Sequence, residues 1–274
     1  ANTLQAMNYI FKKDLQGANV EIRRAELRQK QAADKHQSDL KKLEKKKNKE
    51  KIDQKSLDSI YSQYKIFDAY ASKILNSFQN GFTYFLGGLV YELNREPGEA
   101  YIDYEKSFQL HKNRYTLGKL IELSSALNKK EESGKWQKLH RELFGDINAS
   151  KPADLSKKPE LVVVFFCGNV PRKTQAKFSL WLPKKSFNVA FPFYNTATFR
   201  GDDIYLEINQ NGHPLGRTEM VLDFIPIAVK ALKEKVPGIT IRQILDCSQK
   251  MKSKEKPPNT VDCWALLPQR SSIP

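Results

Sequence analysis

The sequence predicts an α+β protein: a helical first half (residues 1–145), a linker (146–159), and a mostly antiparallel β-sheet domain with two helices (160–274). Three observations predict it. Over 76–110, Phe85, Leu86, Leu89, Val90 and Leu93, then Ala100, Tyr104 and Phe108, recur at helical spacing around a break at Asn94-Arg95-Glu96-Pro97-Gly98. Over 146–159 the composition turns to Ser, Asp, Lys and two prolines. From 160 the chain becomes β-branched or alternating, beginning with Glu160-Leu161-Val162-Val163-Val164-Phe165-Phe166-Cys167.

Taken in order, residues 1–31 read as a first helix pair. Ala6, Tyr9 and Ile10 lead to a turn at Lys12-Lys13-Asp14, and a helix follows from Leu15 through Ala18, Ile22 and Ala25. Ala6, Tyr9, Ala18, Ile22 and Ala25 have the spacing of Gly88, Tyr91, Ala100, Tyr104 and Ser107. Small residues thus fall where two helices approach closely (Ala18, Gly87, Gly88, Ala100), and tyrosines where a larger knob fills the groove (Tyr9, Tyr91, Tyr104). That is the pattern of a tetratricopeptide-type helix pair, with these seven as the helix-packing residues.

Between the two copies the chain has neither Gly nor Pro from Ala18 to Gln79, and over 28–75 it becomes basic and sparse in apolar residues before Ile60, Tyr64, Phe67 and Tyr70. Such composition favours helix and offers little to bury. The reading is a projecting helical hairpin with a mobile tip. About 25 helical residues would carry it roughly 40 Å. Disorder of the lysine section is the alternative.

A third pair follows, with Tyr115, Leu117, Leu120, Ile121 and Leu123 on one helix and Trp136, Leu139, Leu143 and Phe144 on the next. In the second half, 160–167 is expected as a central strand, with further strands at 175–182, 187–191, 196–199 and 204–208. A turn spans 211–216. Helices over 218–235 and 239–252 are parted by Pro237-Gly238, and 261–268 closes the chain as a last strand.

The formal net charge of +15 permits an acidic protein, an anionic lipid or nucleic acid as partner. Much of the charge lies over 41–51, where Lys45, Lys46, Lys47 and Lys49 are the candidate contacts for an anionic partner, although such a run reads first as a solvated helix surface or a mobile tip. The run lacks interleaved aromatics and arginines, so specific nucleic-acid recognition is not expected. No apolar run approaches the roughly 20 residues that cross a bilayer.

No constellation for catalysis, cofactor or metal emerges, and the protein is expected to be non-enzymatic. His36, His111, His140 and His213 lie in different elements without a ligand partner at metal spacing. Cys167 with His213 as base is a poor nucleophile candidate, because an apolar strand raises a thiol's pKa; Cys167 reads as core. Cys247 and Cys263 could form a bridge in an oxidising compartment. Asp202-Asp203 reads as a turn, and Asp262 as an edge or capping residue.

The order of motifs carries more. Ala6-Met7-Asn8-Tyr9 is followed by Gly17-Ala18-Asn19-Val20-Glu21-Ile22-Arg23-Arg24-Ala25, then Asn80-Gly81-Phe82-Thr83-Tyr84-Phe85-Leu86-Gly87-Gly88-Leu89 and Ala100-Tyr101-Ile102-Asp103-Tyr104. The series continues through 161–171, Ile225-Pro226-Ile227-Ala228 and Val261-Asp262-Cys263-Trp264-Ala265-Leu266-Leu267-Pro268. Over nearly the whole chain this resembles a family of bacterial envelope lipoproteins with tetratricopeptide-like helices and a β-rich C-terminal domain. Its members include a component resembling the outer-membrane core of Dot/Icm (type IVB) secretion systems.

The resemblance implies an exported protein on the periplasmic side of the outer membrane. Such proteins are usually lipid-anchored through an upstream cysteine. The implied role is as a multi-copy structural component that contacts other envelope and secretion-system proteins. Asp262-Cys263-Trp264 departs from the family's usual Asp-Thr-Arg-Ser-Trp-like pattern. The alternative function is an envelope binding module that takes an anionic lipid or cell-wall polymer on the lysine-rich arm.

Overall fold

The computed structural model describes residues 1–50, 54–145, 161–167, 171–182, 185–199, 204–252 and 261–262. Nine helices lie among them: α1 Asn2–Phe11, α2 Leu15–Glu50, α3 Gln54–Gln63, α4 Asp68–Ala71, α5 Gly81–Leu93, α6 Pro97–Leu110, α7 Arg114–Ala126, α8 Lys130–Phe144 and α9 Phe224–Lys252. The strands are β1 Lys173–Leu182, β2 Lys185–Tyr194, β3 Glu207–Gln210, β4 His213–Arg217 and β5 Val261–Asp262. One sheet has the order β1-β2-β5, antiparallel then parallel, and β3 and β4 form a separate antiparallel hairpin. The mixture of helix with small, mostly antiparallel sheets is α+β.

Contacts divide the chain differently from the expected 1–145, 146–159 and 160–274. The first compact unit is Ala1–Ala33, Phe78–Asn169 and Gly201–Asp223; the second is Asp34–Ser77, Val170–Arg200 and Phe224–Pro274. The reason lies in where the apolar side chains go.

In the first unit the helices of the three pairs share one core, built on Ala6, Ala18, Ile22, Leu86, Val90, Ala100, Tyr104, Leu117, Leu120 and Trp136. Local chemistry sets the helix starts. Asn80 caps α5 by accepting from the Thr83 backbone N–H at 3.2 Å, and Asn113 caps α7 through Thr116 at 2.8 Å. Pro97 opens α6 where no intrahelical donor is needed. Lys13, Arg95 and Asn128 take left-handed backbone at the three helix–helix turns, with φ of 59°, 61° and 57°.

In the second unit the core is Ile60, Tyr64 and Phe67 packed with Phe191, Tyr194, Val229, Leu232, Val236 and Ile244. Aromatic rings dominate it. Phe67 and Phe193 lie 4.8 Å apart between centroids, and Tyr70 meets Phe199 edge-on at 5.0 Å. The Tyr64 hydroxyl donates to the Pro192 carbonyl at 2.8 Å, and burial pushes its pKa upward.

Several expectations are corrected. The returning part of the projecting arm is not an arm: α3 packs with β1 and α9, because Ile60, Tyr64 and Phe67 supply apolar area that the sheet and α9 bury. The stretch 161–167 is not a central strand. It is irregular chain of the first unit, where Val162 packs against the helical core and Phe166 meets Phe82 edge-on at 5.6 Å. Leu161 is 79% exposed, and Cys167, expected in the core, is a free, exposed thiol.

The expected strand at 196–199 is a 3-10 turn, Thr196–Thr198, held by the Asn195 side chain on the Ala197 N–H. Strand β3 starts at Glu207, not at 204. The expected turn at 211–216 is tighter, with Asn211 and Gly212 alone between paired Gln210 and His213, at φ of 52° and 82°.

The two helices expected around Pro237 are one. Val229, Leu232, Val236 and Thr240 continue a single buried stripe through the proline. Burying such a stripe offsets the roughly 3 kcal/mol that an interior proline costs. Of the closing strand 261–268, Val261 and Asp262 pair with β2, and the rest lies outside the described residues.

Candidate functional site

The seam between α5 and α6 in the first unit gathers Gly87, Gly88, Tyr91, Ala100 and Tyr104 and an unexpected set of charges. Gly88 sits against the Tyr104 ring so closely that a Cβ there would lie 2.7 Å from ring carbons. A Cβ at Gly87 would overlap the Asp103 carboxyl and come within 3.1 Å of Ile22. Tyr91 is buried, and Ala18, Ala100 and Tyr104 are fully so. Tyr9 is half-buried and packs against the same core; a Cβ at Gly17 would stand 2.6 Å from its ring. All seven packing residues therefore belong to one core.

Tyr104 also carries a polar tie. Its hydroxyl bonds to Glu92 Oε2 at 2.6 Å, and Glu92 Oε1 accepts from Lys119 Nζ at 3.2 Å. Lys119 is 6% exposed and also pairs with Glu122 at 3.7 Å. Residues of α5, α6 and α7 are thus joined around one carboxylate, which balances a buried lysine charge that would otherwise be costly.

On the other side of the seam lies an acid pair. Asp103 of α6 is 2% exposed. Lys106 Nζ reaches Asp103 Oδ1 at 3.0 Å and Glu26 Oε1 of α2 at 3.6 Å, and stands 5.1 Å from the centroid of the Tyr84 ring. Asp103 Oδ2 and Glu26 Oε1 are both buried with no hydrogen-bond partner. Lys106 thus serves both carboxylates, while one oxygen of Asp103 is left buried without a donor. Burial first, then the hydrogen bond and charge of Glu26, push Asp103 up to about 8, against the opposing pull of Lys106. Desolvation opposes protonation of Lys106, but the bond to and charge of Asp103 prevail and raise its pKa. Tyr91 and Tyr84 are raised chiefly by burial.

The sequence reading did not single out Glu26, Asp103 or Lys106. A signal was available: Asp103 shares the i, i+3, i+7 stripe of Ala100 and Ser107, so it falls on a packing face. Only the partner helix turns that into an acid pair.

The β3–β4 hairpin is the first unit's other unusual feature. Every residue of its strands is exposed except Ile208, which is half-buried. A bulge between Ile208 and Asn209 leaves Leu215 without a cross-strand partner and 63% exposed, beside exposed Ile204, Tyr205 and Leu206. The base is anchored. Thr218 N–H donates to the Leu206 carbonyl at 2.9 Å, and the Leu206 N–H donates to Thr218 Oγ1 at 2.8 Å. The Glu219 carboxylate accepts from the Arg114 N–H at 2.5 Å, at the positive end of α7.

Of the anionic-partner candidates, Lys45 is exposed on α2; Lys46, Lys47 and Lys49 lie in that helix, with side chains outside the described set. Among the described residues no group of three metal-ligating side chains is gathered, and no helix is long and apolar enough to cross a membrane. No family model matches the chain, and no curated protein or solved structure matches it.

Proposed function

We propose that this chain is a non-enzymatic structural component of a bacterial cell-envelope assembly, of the kind that forms the outer-membrane core of type IVB (Dot/Icm) secretion systems. It acts through protein–protein contacts, in several copies, on the periplasmic side of the outer membrane. The envelope setting rests on the motif resemblance.

The observation that carries the interaction role is the exposed hairpin. A lone two-stranded hairpin buries little and is marginal in water. This one presents open strand edges and a cluster of Ile204, Tyr205, Leu206 and Leu215 to solvent, yet is fixed at its base to α7. An exposed edge with apolar side chains is a template for a partner strand.

The helix pairs α1–α2, α5–α6 and α7–α8 are read as tetratricopeptide-like. In support, equivalent positions of the first two pairs are buried alike: Ala18 with Ala100, Ile22 with Tyr104, and Ala25 with Ser107.

The test is sedimentation of the purified full chain, together with photo-crosslinking in cells from position 215. A multi-copy species or a crosslinked envelope protein is expected. The double variant I204S/L215D should lose either one while keeping its melting temperature. A monomeric wild-type chain that traps no envelope partner overturns the proposal, as does a variant that assembles like wild type.

A further inference from the structure

We propose that the exposed lysine face of α2 in the second unit is a docking surface for an anionic lipid bilayer. This goes beyond the assembly role and uses other residues. From Asp34 onward α2 belongs to the second unit, and its two sides differ. His36 and Leu43 are half-buried, and Leu43 lies against Gly238 of α9, where a Cβ would come within 3.1 Å of it. Lys35, Lys41, Lys42 and Lys45 are exposed. At helical periodicity these four fall within a sector of about 120° on the side away from Leu43, over about 15 Å of helix axis. Asp34 shares that face, and Asp39, at its flank, pairs with Lys42 at 4.0 Å. The face keeps an excess of positive charge, in a chain of net charge +15.

The kind of charge selects the partner. Between Arg28 and Arg95 the chain has no arginine, so this face has no planar fork for bidentate recognition. Nor does an aromatic side chain interrupt the lysines to stack a base. Compact ammonium groups on flexible stems, carried by a helix that sets Leu43 against α9, suit a plane of phosphates that demands proximity and no directed geometry. Juxtamembrane lysine clusters draw on the negative surface potential of such a leaflet in this way.

The full chain should co-sediment with phosphatidylcholine vesicles containing phosphatidylglycerol and not with phosphatidylcholine alone, and the binding should fall steeply as salt rises. The variant K35Q/K41Q/K42Q/K45Q should weaken vesicle binding by up to about a thousandfold, with unchanged melting and unchanged sedimentation in the absence of lipid. That last control separates this face from the hairpin. Wild-type protein that ignores anionic vesicles, binds neutral ones equally, or prefers duplex DNA to vesicles overturns the proposal. A quadruple variant that binds vesicles like wild type does so too.

Discussion

Asp103 sits where a carboxylate can be kept only with help. One oxygen meets Lys106, while the other is buried without a donor and close to the Glu26 charge. With a native pKa pushed up to about 8, against an ordinary carboxyl value near 4, the folded state binds the extra proton through that interval. The unfolded chain has already released it. Stability from this group is therefore fully present below about pH 4 and is lost as pH rises towards about 8. Urea denaturation of the full chain from pH 5 to 8.5 should show that decline, and Asp103→Asn should flatten it. A variant with the same pH slope as wild type would show that Asp103 does not carry the extra proton.

Gly88 sets a second residue-scale limit. Any side chain there runs into the Tyr104 ring, whose hydroxyl is already engaged by Glu92. Gly88→Val should lower stability by about 3 kcal/mol through overpacking, read as a drop in melting temperature and loss of the Tyr104–Glu92–Lys119 tie. A folded, equally stable Gly88→Val protein would refute the seam's role.

At the scale of elements, α9 shows burial overriding a local rule. Pro237 removes a donor and crowds the preceding turn, yet Val229, Leu232 and Val236 before it and Thr240 and Ile241 after it stay on the buried side. Thr240 returns its hydroxyl to the Val236 carbonyl at 2.9 Å. Pro237→Ala should restore the missing bond and raise stability by about 1–3 kcal/mol, visible as a higher urea midpoint. No gain would mean that the proline parts two helices after all.

The hairpin follows the local rule closely. Asn211-Gly212 supplies the positive-φ pair that a two-residue turn requires, and that dipeptide is readable in the sequence. Its membership of the helical unit is not readable, because Glu219 and Thr218, which hold its base, carry no sequence signature of their partners.

At the scale of the whole molecule, the chain's two compact units each interleave segments from distant parts of the sequence. The second draws residues 34–77 from within the helical half, and the first draws 201–223 from the β-rich half. Composition scanned along a chain places a boundary where the pattern changes, as at 146–159, whereas the first unit runs on from Phe78 to Asn169. It does not detect a helix such as α3 whose apolar side fits another unit's core.

The sequence by itself determined the helix pairs of the first unit and most of their turns. It also determined strands at 175–182 and 187–191, which fall within β1 and β2, and the exposed lysines in the later part of α2. Periodicity, the capping asparagines and the proline that opens α6 are local signals, and local forces form those features. The tertiary structure decided the rest. It placed Ile60, Tyr64 and Phe67 in a core instead of on an arm, laid 161–167 on helices instead of in a sheet, joined α9 through its proline, and brought Glu26 to Asp103. Each depends on which surface a segment finds to bury its apolar area or share its charge, and that surface lies dozens of residues away in the chain.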